Sequence, residues 1–425
     1  MKCLFSRKIW EIGQSLVNYR LVNQSVEITL GGRVKDNQRQ FALVNGKIIL
    51  PDRVLDDQAL VIEGSQILGI TSPDELGSDM PREDVGGRYI SPGLIDIHTH
   101  GAMGHDFTHA NPESYDIMTR HQANQGVTTL LATITTTSLD VMAYSLEFTG
   151  AWMSASHPGA NIAGVHLEGP YFSLEQKGAQ DPFNMRTPDD GSADVLLNHP
   201  EWVKMVSFAP ELPGAVELTR RLVNLGIVAA AGHSNAQDWQ VQDVIKAGLK
   251  HTIHIWSGQS STIRVGPWRK PGLLETTLVH DELTAEMITD NRHLPPTLMR
   301  LAYKCKGPDR LCVISDSTDG AGMPEGTVIH SAGMDFIVED GVGILQDHTS
   351  FAGSVTLINK MIPILTKYVD VPLPEAVRMA SLTPARVIGI DDFKGSLKAG
   401  KVADIAIFES DFSAYKVMIG GQWVK

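Results

Sequence analysis

The chain has 425 residues, a formal net charge of −13 at pH 7 and a sequence pI near 5.6. This acidity argues against a nucleic acid or a membrane surface as partner, although a few local cations can still bind an anionic small molecule. No apolar run approaches the roughly 18 residues that are needed to cross a bilayer. The three cysteines, Cys3, Cys305 and Cys312, form neither a disulfide framework nor a C-x-x-C metal motif, which predicts a cytoplasmic protein.

The two ends of the chain differ from the longer middle part in their pattern of apolar and polar residues. Residues 1–40 are predicted to form an N-terminal extension, with weak periodicity and a polar end. From residue 41, short alternating apolar runs are separated by turn residues, which is typical of β-strands, and the same texture returns near the C-terminus. We therefore predict one small β-sandwich domain assembled from residues 41–91 and 392–425.

In residues 92–391, short apolar runs alternate with segments whose sequence is typical of helices. The eight runs are residues 94–100, 127–133, 162–169, 203–211, 227–234, 251–257, 284–290 and 311–317. They are nearly continuous rather than alternating, as expected of parallel strands that are covered on both faces. Eight strand–helix units predict an α/β fold, a (β/α)8 TIM barrel, whose active site lies at the C-terminal ends of the strands.

Histidines and carboxylates stand at the C-terminal ends of five of these runs. They are His98, His100, Glu168, His233, His254 and Asp316. The two histidines of the His-x-His pair project to the same side of their strand, because side chains alternate along a strand. A single buried histidine is more often a hydrogen-bonded core residue than a ligand, but packing alone does not explain this set. Imidazole and carboxylate ligands predict a divalent metal site, with zinc the expected ion and iron, manganese or cobalt as alternatives.

The sequence motifs around these residues resemble those of the N-acetylglucosamine-6-phosphate deacetylase family of the amidohydrolase superfamily. The matching motifs include SPGLIDIHTHG (91–101), GVHLEGPYFSLEQKGAQDP (164–182), AGHSNA (231–236), WRKPGLL (268–274), ITDNRHL (288–294) and KGSLKAGKVADIAIF (394–408). The resemblance covers most of the chain from about residue 41 onwards. HLEGP followed by KGAQ and GHSNA is quite specific, whereas the His-x-His pair alone marks only the superfamily.

The resemblance implies hydrolysis of the N-acetyl amide of an amino-sugar 6-phosphate, releasing acetate. Glu168, His233 and His254 would hold the main ion. His98 and His100 would hold a second ion, so that one or two ions bind per chain. Asp316, placed above among the candidate ligands, would be the general base and acid.

The same resemblance assigns residues to the substrate. Arg269 and His293 match the cations that hold the sugar 6-phosphate, and Gln180 matches a residue that can polarise the acetyl carbonyl. Ser257 and Gly258 match the substrate-holding Asn-Ala of the family, so the asparagine is replaced here. Many members have histidine in place of Gln180, whose carboxamide can still donate a hydrogen bond. Members are commonly homodimers in which the neighbour supplies a phosphate-binding arginine, which is the expectation for this chain.

Two other functions fit the same residues. A sibling amidohydrolase could act on a cyclic amide or an N-acyl amino acid, but such enzymes often use a carbamylated lysine, and no lysine ends the third or fourth run. A catalytically silent sugar-phosphate sensor could keep the fold, but all ligand positions and Asp316 are present. The deacetylase is therefore the favoured interpretation.

Overall fold

The computed structural model describes residues 40–331 and 334–425, so the predicted N-terminal extension lies, up to residue 39, outside the described residues. All eight predicted runs are strands of one parallel sheet, in which neighbours in sequence are neighbours in space. These barrel strands are, in order, Leu94–Thr99, Val127–Thr135, Asn161–Glu168, Val203–Phe208, Val228–Ala231, His251–Thr252, Thr284–Ile288 and Leu311–Ile314. A parallel bridge between Thr99 and Ser317 joins the first strand to the end of the eighth, which nearly closes the barrel.

A helix follows each barrel strand. These helices are Pro112–Asn124, Leu139–Met153, Ser192–Leu196, Ala215–Asn224, Asp238–Ala247, Leu273–Val279, Pro296–Lys306 and Ile358–Tyr368, and Leu373–Met379 and Leu382–Val387 come after them. The first helix begins where the sequence favours it, because the Asn111 side chain accepts a hydrogen bond from the Ser114 amide and Pro112 occupies the first turn. The predicted (β/α)8 barrel is confirmed.

The small sheet contains strands from both ends of the described chain. Its eight strands are Gln40–Ile49, Val54–Glu63, Gln66–Thr71, Arg82–Asp84, Tyr89–Pro92, Ile405–Phe408, Ala414–Ile419 and Gln422–Trp423. Tyr89–Pro92 pairs antiparallel with Ile405–Phe408 and leads directly into the first barrel strand. The sheet curls around its own apolar core, and the Ile67 amide bonds the Lys401 carbonyl at 2.9 Å.

Shorter elements decorate the C-terminal end of the barrel. They are the hairpins Gly101–Ala102/His105–Asp106 and Ile263–Val265/Trp268–Lys270, and a four-stranded antiparallel flap, Val328–Ser331, Met334–Glu339, Val342–Leu345 and Phe351–Ser354. Single 3-10 turns occur at Pro73–Glu75, Phe107–His109, Leu174–Gln176, Pro182–Asn184 and Pro200–Trp202. Among the described residues, no helix has the length and apolar character that a membrane span requires.

Phe408 connects the small sheet to the barrel, and two glycines test this contact. Gly126 has a φ of +93°, and a Cβ there would lie 2.5 Å from the Phe408 ring, whereas Gly226 has a φ of +73° in open space. Alanine at either site costs about 1–2 kcal/mol for the left-handed backbone. Gly126→Ala should cost about 1–3 kcal/mol more through overpacking. Thermal melting should therefore rank Gly126→Ala below Gly226→Ala, and equal melting temperatures would contradict this packing.

Candidate functional site

A cavity of about 360 Å³ opens at the C-terminal end of the barrel strands. The side chains at the strand ends form its floor, and flap residues Phe336, Leu345 and Phe351 form part of its wall. In the sequence, the flap lies between the eighth barrel strand and the helix that follows it. Arg292 donates hydrogen bonds to the carbonyl and the carboxylate of Asp340, which lies at a turn of the flap. The flap thus forms part of the cavity wall at the C-terminal end of the barrel.

The six predicted strand-end residues converge at this cavity: five of them line its floor, and His98 is fully buried against them. Glu168 is at the centre, with one carboxylate oxygen 3.2 Å from His233 Nε2 and 3.1 Å from His254 Nε2. Its other oxygen lies 3.4 Å from His100 Nε2, and His98 Nε2 is 3.6 Å from the first. The side chains form two buried triads that could each hold a metal ion and that share Glu168. His98, His100 and Glu168 make one triad, and Glu168, His233 and His254 make the other.

Two of the converging residues have a left-handed backbone without being glycine. His233 has a φ of 44° and Asp316 a φ of 46°. Each is the second residue after a barrel strand, and its side chain reaches the other converging residues from this turn. Such conformations cost free energy and occur mainly where the surrounding structure imposes them, often at functional sites.

Hydrogen bonds at Nδ1 determine which ring nitrogen of three histidines faces the cavity. The Nδ1 atoms of His98, His233 and His254 contact only acceptors: the Glu286 carboxylate at 2.7 Å, the Gln176 carbonyl at 2.8 Å and the Ser257 carbonyl at 3.2 Å. Each Nδ1 therefore carries the proton, and in the neutral ring Nε2 presents a lone pair. Nε2 faces a carboxylate oxygen in each case, an arrangement that is satisfied either by a second proton on the ring or by a cation bound between the two atoms.

His98 Nε2 shows that the site fits a metal ion. This atom is fully buried and has no hydrogen-bond partner, and it lies 3.6 Å from both Glu168 Oε1 and Asp316 Oδ1. A buried polar atom without a partner is costly, and a cation bound between the imidazole and the carboxylates would satisfy it.

The electrostatics favour positive charge at this site. Glu168 and Glu286 are buried and Asp316 is partly exposed to the cavity, and the only ion-pair partners of these three carboxylates in the described part of the chain are histidines. Burial raises the pKa of Glu168, but hydrogen bonds from His233 and His254 outweigh it and hold this pKa well below its ordinary value. The same buried charges that stabilise protonated imidazole would bind divalent ions.

Gln180 lies on the cavity floor beside Glu168. Its amide nitrogen donates to Glu168 Oε2 at 2.6 Å, and its oxygen accepts from the Thr135 hydroxyl at 2.9 Å and the Thr136 amide at 3.1 Å. These bonds define the orientation of the carboxamide, with its NH2 group towards the triads. Sequence reasoning located this residue but did not reveal its contact with Glu168.

Ser257 and Gly258 both line the cavity and also support the histidines through their backbone. The Ser257 carbonyl accepts from His254, as described above. A Cβ at Gly258 would lie 2.7 Å from His233 Nδ1 and 3.0 Å from the Gln176 carbonyl, so only glycine lets this loop pass so close to the ligand. The loop that replaces the sixth strand beyond Thr252 is thus built around the two histidines.

The two predicted phosphate-binding cations are placed differently. His293 lines the cavity, and its Nδ1 bonds Asp290 Oδ2 at 2.7 Å, which directs Nε2 away from that carboxylate. Arg269 is exposed on the hairpin Ile263–Val265/Trp268–Lys270 and does not line the cavity. The structure of one chain therefore brings His293, and not Arg269, to the site.

Sequence reasoning missed Glu286 and Asp290. Glu286 lies in the middle of the seventh barrel strand and is fully buried, and its carboxylate bonds the ring of His98. The signal was an acidic residue within the apolar run TAEMI (284–288). A charge within a buried strand needs a partner, and here that partner is a ligand histidine.

Comparison with known proteins agrees with this geometry. The model of the amidohydrolase family matches residues 89–424. The chain belongs to the amidohydrolase family. The resemblance inferred from the sequence is confirmed.

Three similar proteins indicate the type of amidohydrolase. An N-acetylglucosamine-6-phosphate deacetylase of Bacillus subtilis is 33% identical over 76% of this chain and 81% of its own length. An N-acetylgalactosamine-6-phosphate deacetylase of Escherichia coli O157:H7 is 29% identical over 88% of this chain and 97% of its own. A mutant N-acetylglucosamine-6-phosphate deacetylase of Mycobacterium smegmatis, solved with N-acetylglucosamine 6-phosphate, has a TM-score of 0.84 at 28% identity and covers 91% and 99%. This amidohydrolase is an enzyme of the N-acetylhexosamine-6-phosphate deacetylase type.

The two triads predict that this amidohydrolase binds more than one ion per chain. Elemental analysis of the reconstituted protein should exceed one equivalent, and the double variant His98→Asn/His100→Asn should approach one equivalent because only the other triad remains complete. The variant should keep the wild-type circular dichroism spectrum. A wild-type content that never exceeds one equivalent would rule out two occupied sites and leave the triad of Glu168, His233 and His254 intact.

Proposed function

We propose that this amidohydrolase cleaves the N-acetyl amide of N-acetylglucosamine 6-phosphate or a close relative of it, releasing acetate and the amino-sugar phosphate. The observation that carries the proposal is the convergence of two histidine–glutamate triads and Asp316 beneath a cavity that also contains His293. The substrates named for similar proteins, both N-acetylhexosamine 6-phosphates, support it. We further propose that the enzyme acts in the cytoplasm, and that the small β domain and the barrel divide near residues 91 and 392.

The two triads are the proposed ligand sets for the ions. Glu168, His233 and His254 would hold one ion, and His98 and His100 would hold a second through the shared Glu168 carboxylate. Zinc is the expected metal, because imidazole and carboxylate ligands suit it. A bound divalent ion lowers the pKa of a coordinated water and polarises a carbonyl. It would therefore activate both the nucleophile and the amide for hydrolysis.

Asp316 is the proposed proton carrier. Its carboxylate lines the cavity and lies 3.3 Å from His100 Nε2, next to the triads. Burial raises the pKa of Asp316, but protonated His98 and the contact with His100 outweigh it and hold this pKa below its ordinary value, so the group is an ionised carboxylate, the form that a general base requires. It would take the proton of the attacking water and donate it to the departing nitrogen. Gln180 would hold the acetyl oxygen through its remaining N–H, and the Ser257–Gly258 loop would contact the sugar.

The phosphate site is proposed to need two chains. His293 is within the cavity, but no lysine or arginine lines the cavity in the described part of the chain. Arg269 instead extends on a hairpin whose Ile263, Val265 and Trp268 are 51%, 51% and 69% exposed. Exposed apolar side chains of this size favour burial against another protein surface. We propose a homodimer in which this hairpin brings Arg269 to the cavity of the neighbouring chain.

Asp316→Asn should lower kcat by about 10²- to 10⁴-fold, because the amide cannot carry the proton. The substitution is nearly isosteric, so the melting temperature should stay within a few degrees and most of the metal should remain bound. Steady-state acetate release and elemental analysis measure both quantities. Near-normal turnover in this variant would remove Asp316 from the proposed mechanism.

A panel of N-acetylhexosamines with and without the 6-phosphate tests the substrate. The wild-type enzyme should release acetate much faster from the phosphorylated sugars. Arg269→Ala should lower kcat/KM on these by about 10- to 100-fold, the cost of about 1.5–3 kcal/mol for a charge-assisted hydrogen bond. It should hardly change the poor activity on unphosphorylated sugars.

Arg264→Ala is the matched control, because Arg264 lies opposite Arg269 in the same hairpin. It should retain wild-type kcat/KM if the effect belongs to Arg269 rather than to the hairpin. A preference for unphosphorylated substrates, unchanged by Arg269→Ala, would exclude the sugar phosphate and leave a metal-dependent amidohydrolase of another amide. Full metal content without any acetate release would favour a catalytically silent binding protein.

A further inference from the structure

Glu286 is a fully buried carboxylate that does not reach the cavity. It lies on the seventh barrel strand, Thr284–Ile288, and is connected to three neighbours. One oxygen accepts from His98 Nδ1 at 2.7 Å and from the His254 backbone amide at 3.2 Å. The other oxygen is 3.2 Å from His251 Nε2. A single side chain therefore touches a member of each metal-binding triad.

Burying a carboxylate costs desolvation free energy unless its charge is compensated by hydrogen bonds or by a nearby positive charge. Around Glu286 the only ion-pair partners in the described residues are the rings of His98 and His251. The bond to His98 keeps the proton on Nδ1 and directs the Nε2 lone pair towards Glu168 and Asp316. A carboxylate behind an imidazole also makes Nε2 a stronger electron donor to a metal ion.

We propose that Glu286 is a positioning residue, which orients the His98 ring and makes its Nε2 a stronger electron donor, so that the triad of His98, His100 and Glu168 binds its ion. The inference rests on the proposed function only in that this ion serves the hydrolase. Glu286 does not line the cavity and is a member of neither triad, so it acts on the ion through His98. Its bond to the His254 amide additionally holds the sixth-strand loop at the other triad.

The rival role for Glu286 is a neutral structural cross-link between strands, and one substitution separates the two. In Glu286→Gln the amide oxygen can accept from His98 Nδ1 and the His254 amide. The new NH2 group can donate to His251 Nε2 once the His251 proton is on Nδ1, which is 2.7 Å from Thr284 Oγ1. The Thr284 hydroxyl already donates to the Lys250 carbonyl and can accept this proton's bond. The substitution thus keeps the hydrogen bonds and removes the charge.

The test is a titration of metal-free protein with Zn²⁺, with no substrate present. We expect the triad of His98, His100 and Glu168 to hold the weaker of the two ions. Glu286→Gln should bind this ion about 10- to 100-fold less tightly than the wild type. Its melting temperature without metal should match that of the wild type. Wild-type affinity for both ions in Glu286→Gln would overturn the proposal.

A double-mutant cycle with His98→Asn shows whether Glu286 acts through His98. The introduced asparagine can still donate from its amide to Glu286, but it has no atom at the position of Nε2, so this variant should lose the weaker ion. Adding Glu286→Gln to His98→Asn should then change the remaining Zn²⁺ affinity less than twofold. A further loss of 10-fold or more would show a role that bypasses His98, and would contradict the proposal.

Glu286→Asp covers the case in which glutamine disrupts the packing. It keeps the charge but withdraws the carboxylate from His98 by one methylene, so it too should bind the weaker ion less tightly. Wild-type binding of both ions by a folded Glu286→Asp would overturn the proposal. Because Zn²⁺ affinity is measured without sugar, failure of the amino-sugar phosphate assignment in the acetate-release panel leaves this result standing.

Discussion

The buried carboxylate of Glu168 is the feature on which the rest of the site depends. It ends the third barrel strand, and its two oxygens face histidines from the first strand on one side and from the fifth and sixth strand ends on the other. A charge buried in this way is stable only if positive charge is bound around it. The barrel brings distant strand ends together at one point and so makes this arrangement available.

The backbone of the loops contributes as much as the ligand side chains. Carbonyls of Gln176 and Ser257 accept the Nδ1 protons of His233 and His254, and Gly258 leaves room for the crossing. For His98 on the first strand, the carboxylate of Glu286 from the seventh strand takes the place of such a carbonyl. The three rings are therefore oriented by partners behind them, which holds the Nε2 atoms towards the centre before any ion binds.

The cavity is rich in groups that could act on an acyl group but contains few cationic groups that could bind an anion. Its floor carries the triads and Asp316, whereas His293 is the one predicted phosphate-binding cation that lines it in the described part of the chain. Arg269 is displayed on an exposed apolar hairpin instead. If the proposed homodimer places Arg269 at the cavity of the neighbouring chain, the enzyme depends on that neighbour for part of its specificity.

The sequence alone determined the barrel, the small sheet from both chain ends and the six residues at the strand ends. Strand periodicity, burial on both faces and the position of a residue at a strand's end are local properties, so they can be read from neighbouring residues. The tertiary structure decided the contact of Glu286 with His98, 188 residues apart, the bond from Gln180 to Glu168, and the separation of Arg269 from the cavity. These depend on the register between distant strands and on the path of long loops, which no local pattern specifies.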